Sequence, residues 1–147
     1  MTKKVVDTRY AKSEDYKAVL KAIEQTAKCP FCKENFKYHR KKILKKENGW
    51  LITPSSWPYP DTKYHFLLIP EKHKEKPDEL NTTDLEALLK LVNWVIGKYK
   101  IKGGGLALRF GDSLYTGASV CHLHFHLMVP KIDRKKGRAK AVYFGIG

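Results

Sequence analysis

Apolar residues that recur every three to four positions predict two amphipathic helices. The first should begin after Ser13, a residue suited to capping a helix, and end near Lys28, because Pro30 cannot continue it. Its core-facing residues are Tyr16, Val19, Leu20 and Ile23. The second helix should begin at a capping box formed by Thr83 and Glu86. Its predicted buried stripe is Leu85, Leu88, Leu89, Val92 and Ile96.

Strands are predicted on both sides of the second helix. Asn48 and Gly49 form a tight turn that pairs residues 43–44 with residues 50–52 in a β-hairpin. The other predicted strands are residues 64–69, residues 106–110 and a segment that ends at Pro130, with loops at residues 54–60 and 111–117. This order of elements predicts the α+β class, with an antiparallel sheet meander and two main helices packed against it.

Three histidines, His122, His124 and His126, occupy alternate positions near the end of this pattern. Successive side chains of a strand point to opposite faces, so an extended segment would place all three imidazoles on one surface. Near neutral pH an imidazole is a donor, an acceptor, a nucleophile or a metal ligand. A merely solvated polar face is the weaker explanation, because histidine is not a favoured strand residue.

The composition is that of one folded domain spanning residues 1–147. Of the 147 residues, 42% are hydrophobic and 30% are charged, as expected for a globular chain with a single core. No apolar run is long enough to span a membrane, and residues 1–4 lead into charged sequence instead of a signal peptide. We therefore expect a cytoplasmic protein with no membrane partner.

The formal net charge of +14 favours an anionic partner such as a polyphosphate, a nucleotide or nucleic acid. A surface rich in lysine that only maintains solubility is the alternative, since the lysines are scattered along the whole chain. One basic cluster falls in the C-terminal tail, residues 131–147, which we expect to be mobile: Arg134, Lys135, Lys136 and Arg138.

Cysteine usage favours a metal site over a disulfide framework. The count of three is odd, and Cys29 and Cys32 have the spacing that lets two thiolates bind one tetrahedral zinc. A redox pair is the alternative, but no βαβ pattern surrounds these residues. The candidates for the remaining zinc ligands are His39, His65, His73 and His122. Cys121 is predicted to pack within its strand.

The segment before the histidines is suited to an anion. Residues 117–120 read Gly-Ala-Ser-Val and offer free backbone N–H groups and a hydroxyl. Arg109, on the preceding predicted strand, could add a fixed charge for phosphate oxygens. A catalytic zinc held by the three histidines, with an open position for water, is the alternative.

Two segments resemble the histidine triad (HIT) superfamily of nucleotidyl hydrolases and transferases. Residues 117–128 contain the His-Leu-His-Phe-His triad, and residues 65–73 match the family's strand that runs into a Pro-x-x-His. With the Cys-Pro-Phe-Cys of residues 29–32, the resemblance covers residues 29–130.

The resemblance implies a role for each matching residue. His124 would attack the α-phosphorus of a nucleotide and form a covalent nucleotidyl–histidine intermediate, which divides one hard displacement into two easier ones. His126 would donate to a phosphate oxygen or to the leaving group, and Ser119 would add a hydrogen bond. With the residues argued from their own chemistry, the predicted nucleotide-binding residues are Ile52, Ser55, His65, Arg109, Ser119 and His126.

Zinc-bearing branches of the family, which include relatives of galactose-1-phosphate uridylyltransferase, hold the metal with matching residues. Here those are Cys29, Cys32, His73 and His122. Four protein ligands close the coordination sphere, so this Zn²⁺ would be structural and no direct catalyst.

The chain also departs from the family's pattern. Ala118 stands where many members have Gln, Ser55 where Asp or Asn often touches the ribose, and Arg109 where Asn is usual. Short insertions at residues 59–63 and 112–116 would border the pocket. Uridylyl transferases carry Gln in place of the third histidine, so His126 favours hydrolysis.

Aromatic and apolar residues have two interpretations. Trp50, Leu51, Ile52 and Trp57 could line a base pocket, since flat rings stack on bases, or they could belong to the core. We assign Ile52 to the pocket. His39 lies in a stretch rich in Lys and Arg and is predicted to be solvated.

The leading functional prediction is a zinc-containing hydrolase or nucleotidyl transferase acting on a dinucleoside polyphosphate or a nucleoside phosphoramidate. An enzyme that removes adenylate from nucleic-acid ends, as aprataxin-type relatives do, is the second hypothesis. A non-catalytic nucleotide-binding protein is the third. By analogy with the family, we expect a homodimer.

Overall fold

Five antiparallel strands form the main sheet. Residues 4–147 are described by the computed structural model, and residues 1–3 of the predicted domain lie outside the described residues. The order across the sheet is β1-β2-β3-β5-β4, which confirms the α+β class. The first three strands form a meander, and β5 inserts between β3 and the edge strand β4. The bounds are β1 (Lys45–Glu47), β2 (Trp50–Pro54), β3 (Thr62–Pro70), β4 (Gly105–Leu108) and β5 (Phe125–Pro130).

The turn and the second strand of the predicted hairpin are confirmed, but its first strand is Lys45–Glu47 and not residues 43–44, because a two-residue turn pairs the residues directly next to it. Glu47 pairs with Trp50, and the turn residues Asn48 and Gly49 have φ values of 38° and 78°. A tight hairpin turn of this kind needs positive φ at both central positions, which Asn and Gly adopt most readily.

Three helices flank the sheet: α1 (Glu14–Glu24), α2 (Thr82–Tyr99) and the single turn α3 (Ser113–Thr116), which lies in a predicted loop. Ser13 caps α1 as predicted. The helix ends at Glu24, earlier than the predicted Lys28, because the chain turns through Ala27 with a φ of 53°. Within residues 4–147, no helix has the length and apolarity required to cross a membrane.

The start of α2 differs from the prediction. Its capping box consists of Asn81 and Asp84, not of Thr83 and Glu86. The side chain of Asn81 accepts from the N–H of Asp84 at 2.9 Å, and the carboxylate of Asp84 accepts from the N–H of Asn81 at 3.0 Å. Both boxes fit the sequence rule, and the earlier one gives the longer helix.

The buried stripe of α2 also differs from the prediction. The buried residues are Ala87, Leu88, Leu91 and Val95, whereas the predicted Leu85, Leu89 and Ile96 are exposed. Because the helix is apolar on more than one side, periodicity alone does not fix its rotation. The indole N–H of Trp50 donates to Asp84 at 2.9 Å and selects the face that meets the sheet.

The two faces of the sheet have different partners. One face packs on α2 and forms the main core, with Trp50, Ile52, Phe66, Leu68 and Leu127. Leu67 lies on the opposite face, in a cluster with Leu51 and Ile69 that packs against Phe31. His65 shares this second face because side chains alternate along β3, and His126 pairs with Leu67 across β5. The histidines therefore lie on the face away from α2.

The segment after β5 contains further regular structure. Residues Ile132–Asp133 (β6) and Arg138–Ala139 (β7) form a second antiparallel hairpin. The ring centroid of Phe144 then lies 5.1 Å from that of His126. The basic run is exposed, as predicted, and the contact with the rest of the fold comes from one apolar ring of the segment, that of Phe144.

Candidate active site and metal centre

A cleft on the sheet face away from α2 gathers most of the predicted nucleotide-binding residues. It lies between α1, the loop after β2, residues 117–120 and the paired strands β3 and β5. Its walls include Ser55, His65, Arg109, Ser119, His124 and His126. The cleft is open to solvent on one side, and its lining combines these polar groups with the apolar side chains of Leu20, Ile23 and Leu67.

His124 is a neutral imidazole with a defined tautomer. Its Nδ1 lies 2.7 Å from the carbonyl oxygen of His122. A carbonyl only accepts, so Nδ1 carries the proton and Nε2 keeps its lone pair. Burial lowers the pKa of His124 to about 4, so the ring is uncharged near pH 7. An edge-on contact with Phe31, with ring centroids 5.1 Å apart, helps to fix its orientation.

A chain of hydrogen bonds sets the tautomers of His65 and His126. The backbone N–H of Tyr59 donates to Nδ1 of His65 at 3.0 Å, so the proton of His65 resides on Nε2. That Nε2–H donates to Nδ1 of His126 at 2.9 Å. The remaining nitrogen of His126, Nε2, must therefore carry a proton, as an N–H donor on the cleft wall.

Two buried donors at this cleft lack partners. Among the residues that the structure describes, Nε2 of His126 and Nη2 of Arg109 are buried without a hydrogen bond. An unpaired buried donor is costly, and two at one cleft suit an anion that would accept from both. Burial, followed by the neighbouring His124, His65 and Arg109, keeps the pKa of His126 well below its usual value.

The other wall of the cleft is aromatic and carries hydroxyl groups. The ring of Trp57 stacks on Tyr16 with centroids 5.1 Å apart. The hydroxyl of Tyr16 lies 2.7 Å from Oγ of Ser119. Ser55 is buried, and its Oγ accepts from the N–H of Trp57 at 3.2 Å. Ser119, Ser55 and Trp57 thus lie where a nucleoside could meet them.

The structure corrects the assignment of Ile52 to this pocket. Ile52 and Trp50 are buried in the core against α2, and Leu51 packs in the cluster near Phe31. The one-residue alternation of β2 decides these placements, and the bond from Trp50 to Asp84 anchors them. Of the four candidates for the base pocket, Trp57 lines the cleft.

Sequence reasoning missed two residues of the cleft. His39 is not solvated as predicted: it is half-buried, lines the cleft, and its Nε2 lies 2.7 Å from Oγ1 of Thr53. Tyr59 contacts both His65 and Arg109. Its backbone N–H donates to Nδ1 of His65, and its hydroxyl accepts from Nη1 of Arg109 at 2.9 Å. Tyr59 belongs to the predicted insertion at residues 59–63, the only sequence signal that pointed to it.

The expected single row of imidazoles is divided between two sites. Strand β5 begins at Phe125, so His122 lies in a bend before it. In that bend, Nε2 of His122 donates to the carbonyl of Pro70 at 2.8 Å. His122 therefore joins the cysteines, while His124 and His126 line the cleft.

The predicted metal ligands meet in one cluster. The ligand atoms of Cys29, Cys32, His73 and His122 all lie within 4.8 Å of one another. Sγ of Cys29 is 3.3 Å from Nδ1 of His122, and Sγ of Cys32 is 3.4 Å from Nδ1 of His73. A sulfur and a nitrogen bound to one tetrahedral zinc would be about 3.6 Å apart. The cluster is therefore able to hold a metal ion of that size.

The surroundings of the cluster favour a cation. The Nε2 atoms of both histidines have acceptors, the carbonyl of Pro70 for His122 and a carboxylate oxygen of Glu75 at 2.8 Å for His73. These contacts direct each Nδ1 lone pair inward, as outer-shell partners of metal ligands do. Burial raises the pKa of Cys29 and raises that of Cys32 to about 12. A bound cation would instead stabilise the thiolates.

Comparison with known sequences identifies related families. The profile of the family described as "Scavenger mRNA decapping enzyme C-term binding" matches residues 28–141. An uncharacterized HIT-like protein of Chlamydia muridarum is 30% identical over 90 residues, which cover 59% of this chain and 68% of that protein. One from Methanocaldococcus jannaschii is 32% identical over 87 residues, covering 58% of this chain and 64% of the relative.

Solved structures give the same result for the fold. A HIT family hydrolase from Clostridium thermocellum is 27% identical, with a TM-score of 0.54, and the match covers 70% of this chain and 90% of that one. A hypothetical protein from Leishmania major is 25% identical, with a TM-score of 0.57, and the shares are 83% and 85%. A zinc-bound histidine triad family protein from Mycobacterium smegmatis is 18% identical, with a TM-score of 0.54, and the match covers 76% of this chain and 82% of that one. At this identity the likeness shows the fold alone.

Proposed function

This chain belongs to the histidine triad family, and from that premise we propose that it is an enzyme that attacks the α-phosphate of a nucleotide through a covalent nucleotidyl–histidine intermediate. The substrate class is a dinucleoside polyphosphate or a nucleoside phosphoramidate. His124 is the nucleophile, His126 and Arg109 bind phosphoryl oxygens, and Ser119 adds a hydrogen bond. With a histidine at position 126, hydrolysis is the favoured outcome.

One observation carries this proposal. The Nδ1–H of His124 is engaged by the carbonyl of His122 at 2.7 Å, which leaves a nucleophilic Nε2 in a cleft where two buried donors have no partner among the described residues. A nucleophile and unpaired donors at one cleft suit a phosphoryl group, because charge that develops on the phosphoryl oxygens finds donors already in place.

The reaction proceeds in two displacements. In the first, the lone pair on Nε2 of His124 bonds to the α-phosphorus, and the bond from phosphorus to the leaving group breaks with its electron pair on that group. A phosphate oxygen leaves as the anion, whereas a leaving nitrogen takes up a proton from solvent and departs as the amine. In the second, water displaces the imidazole, which releases a nucleoside monophosphate and a proton. His124 returns to its neutral form, and Nε2–H of His126 supports the phosphoryl oxygens in both steps.

The metal of the Cys-His cluster is proposed to be structural Zn²⁺. Two thiolates and two imidazoles are the preferred ligand set of tetrahedral zinc, and four protein ligands leave no position for substrate. When bound, the ion supplies a rigid cross-link between residues 29–32, His73 at the end of β3 and His122 at the entry to β5. It thereby fixes the carbonyl of His122 that orients His124.

A second candidate function is the removal of adenylate from a nucleic-acid end. The hairpin β6–β7 favours it, because Lys136 and Arg138 line a groove together with Tyr143, and Lys140 at the same groove pairs with Asp61 at 3.3 Å. Tyr143, which is 84% exposed, also lines a depression next to Trp57 and Tyr59 at the cleft. Basic groups interleaved with an exposed aromatic ring are typical of single-strand binding.

Two further assignments are proposed. The free cysteines suit a reducing, cytoplasmic compartment, where thiols persist as metal ligands. A homodimer is supported by β4, whose outer edge has no paired strand among residues 4–147 and whose Leu106 is 44% exposed. Nucleotide remains the favoured partner, ahead of nucleic acid.

A hydrolysis screen tests the proposal and ranks the two candidates. The wild-type protein is incubated with diadenosine and diguanosine polyphosphates, adenosine phosphoramidate and an adenylated DNA end, and zinc is measured in the same sample. We expect release of a nucleoside monophosphate from a small-molecule substrate, with about one zinc per chain. Turnover of the DNA end alone, with an affinity that falls steeply as salt rises, would favour the second candidate. No turnover of any member would refute both.

A further inference from the structure

Arg109 is held by the C-terminal segment through two different contacts. Its Nε donates to the carbonyl of Gly145 at 2.8 Å. Its guanidinium carbon lies 3.8 Å from the ring centroid of Phe144, a distance at which the ring face attracts the cation. Residues 140–147 have no helix or strand, so side-chain contacts of this kind hold the segment in place.

A third contact completes the enclosure of the guanidinium. Nη1 donates to the hydroxyl of Tyr59 at 2.9 Å, and the rings of Tyr59 and Phe144 are 6.2 Å apart. With Nε and Nη1 engaged, the plane of the guanidinium is fixed. The nitrogen left over is Nη2, which is buried and has no hydrogen bond among the described residues.

The same ring of Phe144 also contacts the catalytic group. It meets His126 edge-on, with centroids 5.1 Å apart and an interplanar angle of 72°. Phe144 is thus in contact with both groups that carry an unpaired donor, the guanidinium of Arg109 and the imidazole of His126. A single side chain from the C-terminal segment aligns the two donors of the phosphate subsite.

We propose that Phe144 and the carbonyl of Gly145 are positioning groups that hold Arg109 with Nη2 directed at the phosphate of the ligand. A flexible arginine loses conformational entropy when it binds an anion, and a guanidinium fixed in advance loses less. The C-terminal segment is therefore part of the phosphate subsite. This inference rests on the proposed function in taking a phosphate as the ligand.

Binding of AMP measured by calorimetry tests the proposal without requiring turnover. Loss of one charge-assisted hydrogen bond should weaken AMP binding about 10- to 100-fold in Arg109→Ala. Phe144→Ala should weaken it by a comparable factor, and the double variant should lose no more than Arg109→Ala alone. Phe144→Tyr, which keeps the ring, should restore an affinity close to that of wild type.

Two controls separate positioning from damage to the fold. Ile146→Ala alters an exposed residue of the same segment (65% exposed) and should leave AMP binding unchanged. Adenosine, which lacks the phosphate, should bind wild type and Phe144→Ala equally well. A loss of adenosine affinity in step with AMP affinity would indicate a structural role and would overturn the proposal.

Other outcomes also overturn it. If Phe144→Ala binds AMP like wild type while Arg109→Ala does not, the segment does not position the arginine. The same conclusion follows if the two losses multiply in the double variant, or if wild type binds AMP and inorganic pyrophosphate no better than Arg109→Ala does. Failure of the proposed function gives a different result: AMP binding still responds to these variants, but the wild-type protein turns over no substrate.

Discussion

At the scale of single residues, the site depends on which ring nitrogen of each histidine carries a proton. The sequence identifies His65, His124 and His126 by their spacing, and the structure gives each a tautomer through one backbone group. The carbonyl of His122 fixes the tautomer of His124. The N–H of Tyr59 fixes the tautomer of His65, and His65 in turn fixes that of His126. No sequence pattern predicts these tautomers, because Tyr59 lies in an irregular loop whose path depends on the whole cleft.

The pKa of His65 leads to a prediction about stability. Burial, aided by the charges of neighbouring His124 and Arg109, lowers this pKa from 6.5 to about 4. The folded protein therefore holds His65 neutral at a pH where the unfolded chain protonates it, so stability is present above pH 6.5 and is lost as the pH falls toward 4. The contribution is about 3 kcal/mol over that interval.

Urea unfolding of wild type and of His65→Gln measures this contribution. The difference in unfolding free energy between the two proteins should change by about 3 kcal/mol between pH 7 and pH 4.5 or below, with wild type losing more. The histidines that do not contact His65 are common to both proteins and cancel in the comparison, and the amide of Gln keeps an N–H donor for Nδ1 of His126, the one histidine that His65 hydrogen-bonds. Parallel pH profiles for the two proteins would show that His65 titrates normally in the folded state.

At the scale of elements, a sequence pattern that fits one structure predicts it well, and a pattern that fits two structures does not. The turn at Asn48-Gly49 and the cap at Ser13 are both confirmed. Helix α2 has two acceptable capping boxes and apolar residues on more than one side, so its start and rotation depend on the contact between Trp50 and Asp84. Ile52 was placed in the pocket for a similar reason, since β2 is buried on both faces.

The cluster of Cys29, Cys32, His73 and His122 brings separate elements together, and loss of the proposed zinc should destabilise the protein. Cys32→Ser removes one of four ligands, so zinc content should fall and the unfolding free energy should decrease by about 3 to 5 kcal/mol. The proposed nucleotidyl transfer should decline along with folding, because the ion would hold His122 and, with it, the segment that carries His124. Metal analysis and chemical denaturation on one sample measure both effects.

Cys121→Ser is the matched control. Cys121 is half-buried and lies outside the cluster of ligands, so this change should keep about one zinc per chain and cost about 1 kcal/mol or less. Protein stripped of metal by a chelator that stays folded and fully active would contradict the structural role of the ion.

At the scale of the whole molecule, the sequence predicts the fold class and the family, and long-range contacts decide the rest. The C-terminal segment reads as a basic tail, yet Phe144 reaches Arg109 and His126 across the sheet. Such a contact joins residues far apart in the chain and leaves no local periodicity. For the same reason, His39 was predicted to be solvated, while the fold places it in the cleft.

The free edge of β4 gives a prediction about assembly. A second copy that pairs with β4 would extend the sheet and cover Leu106, so wild type should elute as a dimer in size-exclusion chromatography with light scattering. Leu106→Lys should shift the population to monomer, because a charge on the edge opposes strand pairing. Ile132→Lys, which alters an apolar residue of the hairpin that is more exposed than Leu106 (64% against 44%), should remain dimeric. A monomeric wild type at tens of micromolar would rule out the proposed homodimer.

The nucleophilic role of His124 is the claim on which the proposed function depends. The most direct measurement is the amount of radiolabel bound covalently to the protein after incubation with an adenylyl donor labelled at the α-phosphate. The reaction is quenched rapidly and without acid. Wild type should retain an acid-labile, alkali-stable label that maps to His124, and His124→Ala should retain none. Label of equal amount in His124→Ala, or steady turnover by wild type with no label ever trapped on residue 124, would contradict the mechanism.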